Sequence, residues 1–288
     1  FFIAPNTSRC FVEAYLLVLN PVWYPKKNPS LMKRQIKKVL SLAAWSEIVI
    51  IDNNEPFVDL GAFIALNGIT NIRIYNKPTH RTVSFLVRRS LLLRLVDAAK
   101  NLEQGYVIYV FEGWRSLESQ QMDWNMCYQI IKKELTSNAT YDIPESEIER
   151  QTSIVCARPK LLANHHCGGA IDVGIGLDDG TLLDMGTPVG YMFIAFFAHA
   201  NKATYLDLKM KTMMLSEQLT TEQYRNRRRL RRAMGHAGFV WYPGECWHYC
   251  YGDRMWAVYS QIDHCFYGPQ PEPVVEDPPT IKALRQIV

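Results

Sequence analysis

Two short segments constrain this chain more than anything else in it. They are His165-His166-Cys167-Gly168-Gly169-Ala170-Ile171-Asp172 and, much later, Glu245-Cys246-Trp247-His248. Together they offer two imidazoles, one carboxylate ligand and one spare carboxylate. That set is sufficient for a catalytic zinc site, with three protein ligands, an open position for water and a general base beside it. Any fold that uses it must bring the two distant segments together.

His165 and Asp172 are 172−165 = 7 positions apart. Gly168 and Gly169 between them permit tight backbone conformations, so both side chains can face one ion. His248 completes the ligand set. Glu245, three positions before it, is placed to sit beside a metal-held water and exchange protons with it. The spacing leaves alternatives open. A His inside Trp247-His248-Tyr249 is commonly a packed core residue. His166 competes with His165, and since neighbouring side chains on a strand point to opposite faces, one of the pair is expected to bind. Cys167 and Cys246 would favour a closed, structural zinc site, but neither has a Cys-x-x-Cys partner.

The 288 residues suffice for one large domain or two small ones, and 48% hydrophobic with 21% charged residues is a globular balance. No apolar run reaches the roughly 18 residues that span a bilayer. The longest, Gly190 to Ala200, suits a buried segment. A net charge of +4 is too small and dispersed to imply nucleic acid. The cluster Arg225, Arg227, Arg228, Arg229, Arg231 and Arg232 falls on one expected helix and reads as a solvated, partly paired face. Seven scattered cysteines without a C-x-x-C pair suggest packed, reduced thiols and weakly favour a reducing compartment. The chain opens on Phe1-Phe2-Ile3-Ala4, compatible with the end of an apolar leader, though no basic segment precedes it. Compartment and oligomeric state are not specified by these features.

Periodicity predicts helices over Leu31–Leu42, Arg81–Leu102 (closed by Gly105), Ser116–Lys133 and Thr220–His236. Strands are expected at Ile48–Asp52, Tyr106–Phe111, Phe239–Tyr242 and Met255–Tyr259, with a hairpin from Asp172 to Leu183 turning at Asp178-Asp179-Gly180. Residues 136–150 read as a polar loop, and Gly268–Thr280, rich in proline, as an extended segment outside the core. The expected organisation is an N-terminal extension (1–45) packed on the core, a catalytic domain (46–267) and a Pro-rich tail (268–288). The class is α+β, a central mostly antiparallel sheet flanked by helices.

Several co-linear segments resemble the zinc-dependent D-alanyl-D-alanine dipeptidases known from vancomycin resistance. Glu112-Gly113-Trp114-Arg115-Ser116 is similar to their D-G-Y-R-P. His165 to Asp172 fits H-x-x-G-x-A-x-D, and Leu183-Asp184-Met185-Gly186-Thr187-Pro188 fits the following D-M-G-T segment. Arg225 through Met234, Ala237-Gly238-Phe239 and Tyr242-Pro243-Gly244-Glu245-Cys246-Trp247-His248 fit N-R-R-L-L…M…A-G-F…Y-P-x-E-W-W-H. Tyr251-Gly252-Asp253-Arg254-x-Trp256-Ala257 fits their S-Y-G-D-R-x-W-A. The match spans roughly residues 58 to 260.

The resemblance implies a zinc peptidase acting on a small D-amino-acid or cell-wall peptide. His165, Asp172 and His248 would be the zinc ligands, Glu245 the general base and then acid, and Arg115 the cation that stabilises the oxyanion. The departures are Ala163, where the family has Ser before the first His ligand, and Val189-Gly190, where it has an acid for the substrate ammonium. They imply that free D-Ala-D-Ala is not the best substrate. The alternative from a different class is a zinc-retaining chain that has lost hydrolysis and serves as a binding or effector module.

Overall fold

The computed structural model describes residues 45, 47–75, 82–137, 141–159, 164–187, 219–242 and 245–287. The expected helix over Leu31–Leu42, the apolar stretch Gly190–Ala200, and Ala163, Val189 and Gly190 lie outside these residues, as does nearly all of the N-terminal extension.

Tyr106–Glu112 (β5) is an almost unbroken apolar run, and all of it after Tyr106 is buried. A strand covered on both faces needs such a sequence. It pairs antiparallel with Ala170–Leu177 (β6) and parallel with Ile72–Ile74 (β3). β6 pairs antiparallel with His248–Cys250 (β8), and β8 with Val240–Trp241 (β7). The resulting five-stranded sheet, ordered β3-β5-β6-β8-β7, is antiparallel at every pairing but β3-β5. Together with the flanking helices it makes the protein α+β, as expected. Val49–Ile50 (β1) pairs parallel with His264–Cys265 (β9). Phe57–Asp59 (β2) pairs antiparallel with Leu86–Arg88 (β4).

Two helices lie where the pattern predicts, and a third occupies the later part of its expected span. Leu117–Thr136 (α3) begins at Ser116, whose hydroxyl accepts the Ser119 amide. Thr221–His236 (α5) begins with a capping box between Thr220 and Gln223. Arg89–Lys100 (α2) buries Leu91, Leu92, Leu93, Leu95, Val96, Ala98 and Ala99 in the same core as Ile108, Val110 and Phe111 of β5. The hairpin turns at Asp178–Gly180, its return reduced to a bridge between Gly176 and Leu182.

Elsewhere tertiary pairing and capping override local periodicity. The long helix over Arg81–Leu102 is instead a strand followed by a helix, because Leu86–Arg88 is taken up by β2. That helix ends at Asn101, and Gly105, at φ +89°, belongs to the turn before β5. Ile48–Asp52 is not a buried strand: β1 is short, and Val49 and Ile51 are 58% and 59% exposed. Within the polar 136–150 stretch a helix begins, Glu145–Val155 (α4), after Pro144 and with Glu145 and Glu147 in its first turn. Those acids suit the helix dipole. Met255–Tyr259 is helical rather than extended (Arg254–Ser260, α6), because Asp253 caps it through the Trp256 amide.

Leu60–Leu66 (α1) follows β2 and is capped by Asp59. The Pro-rich stretch lies along β2, where Phe57 N donates to Val274 O and Glu276 N to Phe57 O. It leads into Ile281–Ile287 (α7), whose Leu284 is fully buried against the α2 side of the core, so the C-terminal segment contributes to packing. Among the described residues no helix is long and apolar enough to cross a membrane.

Candidate metal centre

Sheet register builds the site. Glu112 on β5 stands opposite Asp172 on β6, and Asp172 stands opposite His248 on β8. Residues directly opposite in a sheet share a face, so one row across three strands carries two carboxylates and an imidazole. His165 reaches the same place from a 3-10 turn, Asn164–Cys167, just before β6.

That turn depends on its glycines. Gly168 has φ +74°, and a Cβ there would lie 2.2 Å from Phe57 Cε1; one on Gly169 would lie 2.6 Å from Tyr251 O. The chain can therefore pass from His165 back into β6 only with bare backbone at both positions.

His165, Asp172 and His248 converge as expected and are buried. His248 Nδ1 lies 3.1 Å from Asp172 Oδ1 and 3.2 Å from His165 Nε2, and His165 Nε2 lies 3.4 Å from Asp172 Oδ1. Ligand bonds of ~2.0–2.2 Å at tetrahedral angles put neighbouring donor atoms about 3.3 Å apart. The triangle has the edge length of a zinc coordination face, and no fourth ligand stands with these three among the described residues.

The proton inventory points the same way. His165 Nδ1 is 2.7 Å from Gly113 O, a carbonyl that can only accept, so the proton sits on Nδ1 and Nε2 turns a lone pair inward. A lone pair facing a second ring nitrogen and a carboxylate oxygen is an environment for a cation. Burial of Asp172 works against its charge, but the adjoining His165 and His248 imidazoles prevail and hold its carboxyl far below the usual range. Burial lowers His248, while the hydrogen bond and charge of Asp172 raise it more, leaving it above the usual imidazole value.

His166 does not join the triangle. It stacks on Trp114 with centroids 6.0 Å apart, and its Nδ1 lies 3.1 Å from Arg115 O. Cys167 and Cys246 stand outside the triangle as well, with burial raising both thiols. All six described cysteines are buried and free of disulfides.

Glu245 is half-buried at the turn entering β8, where its carbonyl accepts the His248 amide at 3.4 Å. Its carboxylate is near enough to raise the charge affinity of His248. Arg115 is half-buried among acids. Its Nε donates to Glu112 Oε1 at 2.9 Å, Nη1 to Gln120 Oε1 at 2.8 Å, and Nη2 to Glu112 Oε2, with Asp123 Oδ2 3.4 Å from Nη1. Three of the guanidinium's five N–H groups thus donate hydrogen bonds, Asp123 adds an ion pair at Nη1, and the second N–H of Nη2 has no partner among the described residues. Burial would weaken the cation, but Glu112 and Asp123 hold it firmly charged, and Asp172 lies within electrostatic reach.

Glu112, Gln120 and Asp123 were not legible as site residues. A buried Asp and Gln on a capped helix directly after the Glu-Gly-Trp-Arg segment is the signal that marks Gln120 and Asp123. Asp184 is spent on structure: its carboxylate accepts from Gly186 N at 2.7 Å and Gln223 Nε2 at 2.8 Å. In the arginine cluster, Arg227 departs from the solvated reading. It is 1% exposed and its Nε donates to Met185 O at 2.6 Å, pinning the segment around Met185 to α5. Arg225 pairs with Glu222, and Arg229 with Glu103.

Comparison with known proteins gives the chain's family. Residues 63–267 match a peptidase family described as D-Ala-D-Ala dipeptidase. The chain is similar to a D-alanyl-D-alanine dipeptidase of Synechocystis, 27% identical over 248 residues, covering 79% of this chain and 96% of that protein. Among solved structures it is similar to VanYB in complex with D-alanine-D-alanine, with 15% identity, a TM-score of 0.34, and coverage of 75% of this chain and 93% of that one. A variant of the vancomycin-resistance D,D-pentapeptidase VanY in complex with Zn(II) is similar at 16% identity and the same TM-score of 0.34, covering 75% and 94%.

Proposed function

We propose, from the premise that this chain belongs to the D-Ala-D-Ala dipeptidase family of metallopeptidases, that it hydrolyses the peptide bond of a small D-amino-acid dipeptide or a related cell-wall peptide. The observation that carries the reading is the triangle of His165 Nε2, Asp172 Oδ1 and His248 Nδ1, whose edges fit a zinc coordination face. When bound there, zinc supplies Lewis-acid polarisation of the scissile carbonyl and eases deprotonation of a water.

The chain's own groups do the rest. Asp172 neutralises part of the positive charge gathered at the triangle, and the Gly113 carbonyl keeps His165 in the tautomer that presents Nε2. Glu245 takes the proton of the attacking water on its carboxylate and returns it to the leaving amine. Arg115 directs its remaining Nη2 N–H at the oxyanion, a donor already oriented by Glu112 and Gln120, so little reorganisation accompanies the reaction. Free D-Ala-D-Ala is not its preferred substrate: the positions where the family carries the ammonium counter-charge and the Ser before the first ligand are here Val189-Gly190 and Ala163. Absence of a counter-charge to a buried ammonium costs several kcal/mol, on the order of a buried pair broken.

The test is a panel of D,D- and L,D-dipeptides and longer cell-wall peptides, incubated with the zinc-loaded chain and its Glu245→Ala variant. Hydrolysis of one class by the parent, lost in the variant while zinc is retained, supports the reading. Zinc content without hydrolysis of any member would instead favour a binding or effector role, and normal turnover of free D-Ala-D-Ala would refute the substrate proposal.

A further inference from the structure

We propose that Cys250 is a positioning residue for the metal ligand His248, its sulfur accepting the Nε2–H of the imidazole and its own hydrogen turned to the buried carboxylate of Asp253. The proposal rests on reading His165, Asp172 and His248 as the metal ligands.

Strand geometry places the groups. His248 and Cys250 are the first and last residues of β8, two apart, so their side chains stand on one face. His248 turns Nδ1 to Asp172 and His165, and the opposite ring nitrogen, Nε2, lies 3.3 Å from Cys250 Sγ. A neutral imidazole carries one proton. With Nδ1 as the ligand atom that proton must sit on Nε2, and Cys250 is what meets it.

Sulfur is a weak acceptor, so this contact gains if its own hydrogen is engaged elsewhere, since linked hydrogen bonds polarise one another. Asp253 is suited to that. It is 1% exposed, its Oδ1 accepts the Trp256 amide at 2.8 Å, and its Oδ2 is buried with no hydrogen-bond partner. Burial raises the Cys250 thiol, and the nearby charge of Asp253 raises it further. From the other side Asn164 Nδ2 approaches Cys250 Sγ at 3.6 Å, and Asn164 begins the turn that carries His165. The sulfur therefore touches both halves of the site. His165 is held differently, by the backbone carbonyl of Gly113. Of the two imidazoles, His248 is the one whose orientation depends on replaceable side chains.

The experiment uses the full chain and three variants: Cys250→Ala, Cys250→Ser and Asp253→Asn. Zinc affinity is measured by competition with a chelating dye, and the visible absorption of the cobalt(II)-loaded chain reports ligand geometry independently of activity. Outer-shell partners of ligand histidines typically contribute 10–100-fold in metal affinity. The expected result is a loss of that order for Cys250→Ala with shifted cobalt bands. Cys250→Ser, which can still accept and donate, should recover to within about threefold, and Asp253→Asn, which keeps a helix cap but weakens the acceptor, should fall between. Cys250→Ala binding zinc as tightly as the parent, with unchanged cobalt bands, overturns the proposal alone. If Cys250→Ala does not fold, Asp253→Asn decides in its place, and parent-like affinity and bands in it overturn the proposal. A parent chain that takes up no zinc overturns the metal reading and this proposal with it.

Discussion

Replacing Arg115 by Met tests whether the cation beside the metal centre is held by buried charge. Its side chain is 11% exposed, and those of Glu112 and Asp123 are fully buried. Met fills much of the volume but takes the guanidinium away from two buried carboxylates, and leaves Gln120 Oε1 without its 2.8 Å donor. Breaking a buried pair by removing one partner costs about 3–5 kcal/mol. Two acids share the lost cation, which pushes the cost towards the upper end of that range, although protonation relieves part of it.

That relief has a definite sign. In the variant, burial and mutual repulsion raise the folded-state carboxyl pKa values above their unfolded ones, so the native state binds protons more readily than the unfolded chain. The stability deficit relative to the parent should therefore be largest at pH 8 and shrink as pH falls towards 5. Urea unfolding of the two proteins, followed by tryptophan fluorescence at both pH values, measures it. Asp123→Asn added to the Arg115→Met chain should restore about 1–2 kcal/mol at pH 8, since one of the two charges that lost the guanidinium is gone. A deficit below about 1 kcal/mol at pH 8, or one independent of pH, would refute the argument that these acids fix the guanidinium.

Three other outcomes follow from the same geometry. Glu245→Ala should lower kcat by about 10²–10⁴ with zinc content unchanged, as measured by peptide hydrolysis and elemental analysis; parent-like kcat would exclude Glu245 as the proton carrier. Gly168→Ala places a methyl 2.2 Å from Phe57 Cε1 at φ +74°, so thermal unfolding should register a loss of about 2–4 kcal/mol, whereas an unchanged Tm would contradict the packing of the turn. The six described cysteines, all buried, should react with an aromatic disulfide reagent only on unfolding, and rapid labelling of any of them in the native chain would count against it.

The candidate metal ligands were legible because their chemistry leaves so few other uses for His165, Asp172 and His248 in two segments this distant. The elements that carry them were legible where composition and caps agreed, as in β5, α3 and α5. Legibility ended where a partner distant in sequence decides the outcome. Leu86–Arg88 continues a helical pattern, yet pairing with Phe57–Asp59 makes it a strand. Met255–Tyr259 has strand-like composition, yet the single hydrogen bond from Trp256 N to Asp253 starts a helix. Asp123 and Cys250 look ordinary in sequence because their significance comes from what register and helix packing set beside them. Arg227 hid in a basic run, since periodicity does not say which arginine of a cluster turns inward to meet the Met185 carbonyl.

The central claim is that His165 Nε2, Asp172 Oδ1 and His248 Nδ1 hold one zinc ion. Anomalous diffraction at the zinc edge from crystals of the zinc-loaded chain tests it most directly. The account predicts one strong peak about 2.0–2.2 Å from each of those three atoms, with His166, Cys167 and Cys246 uncoordinated. A peak on His166 or on either cysteine, or none within the triangle, would contradict it.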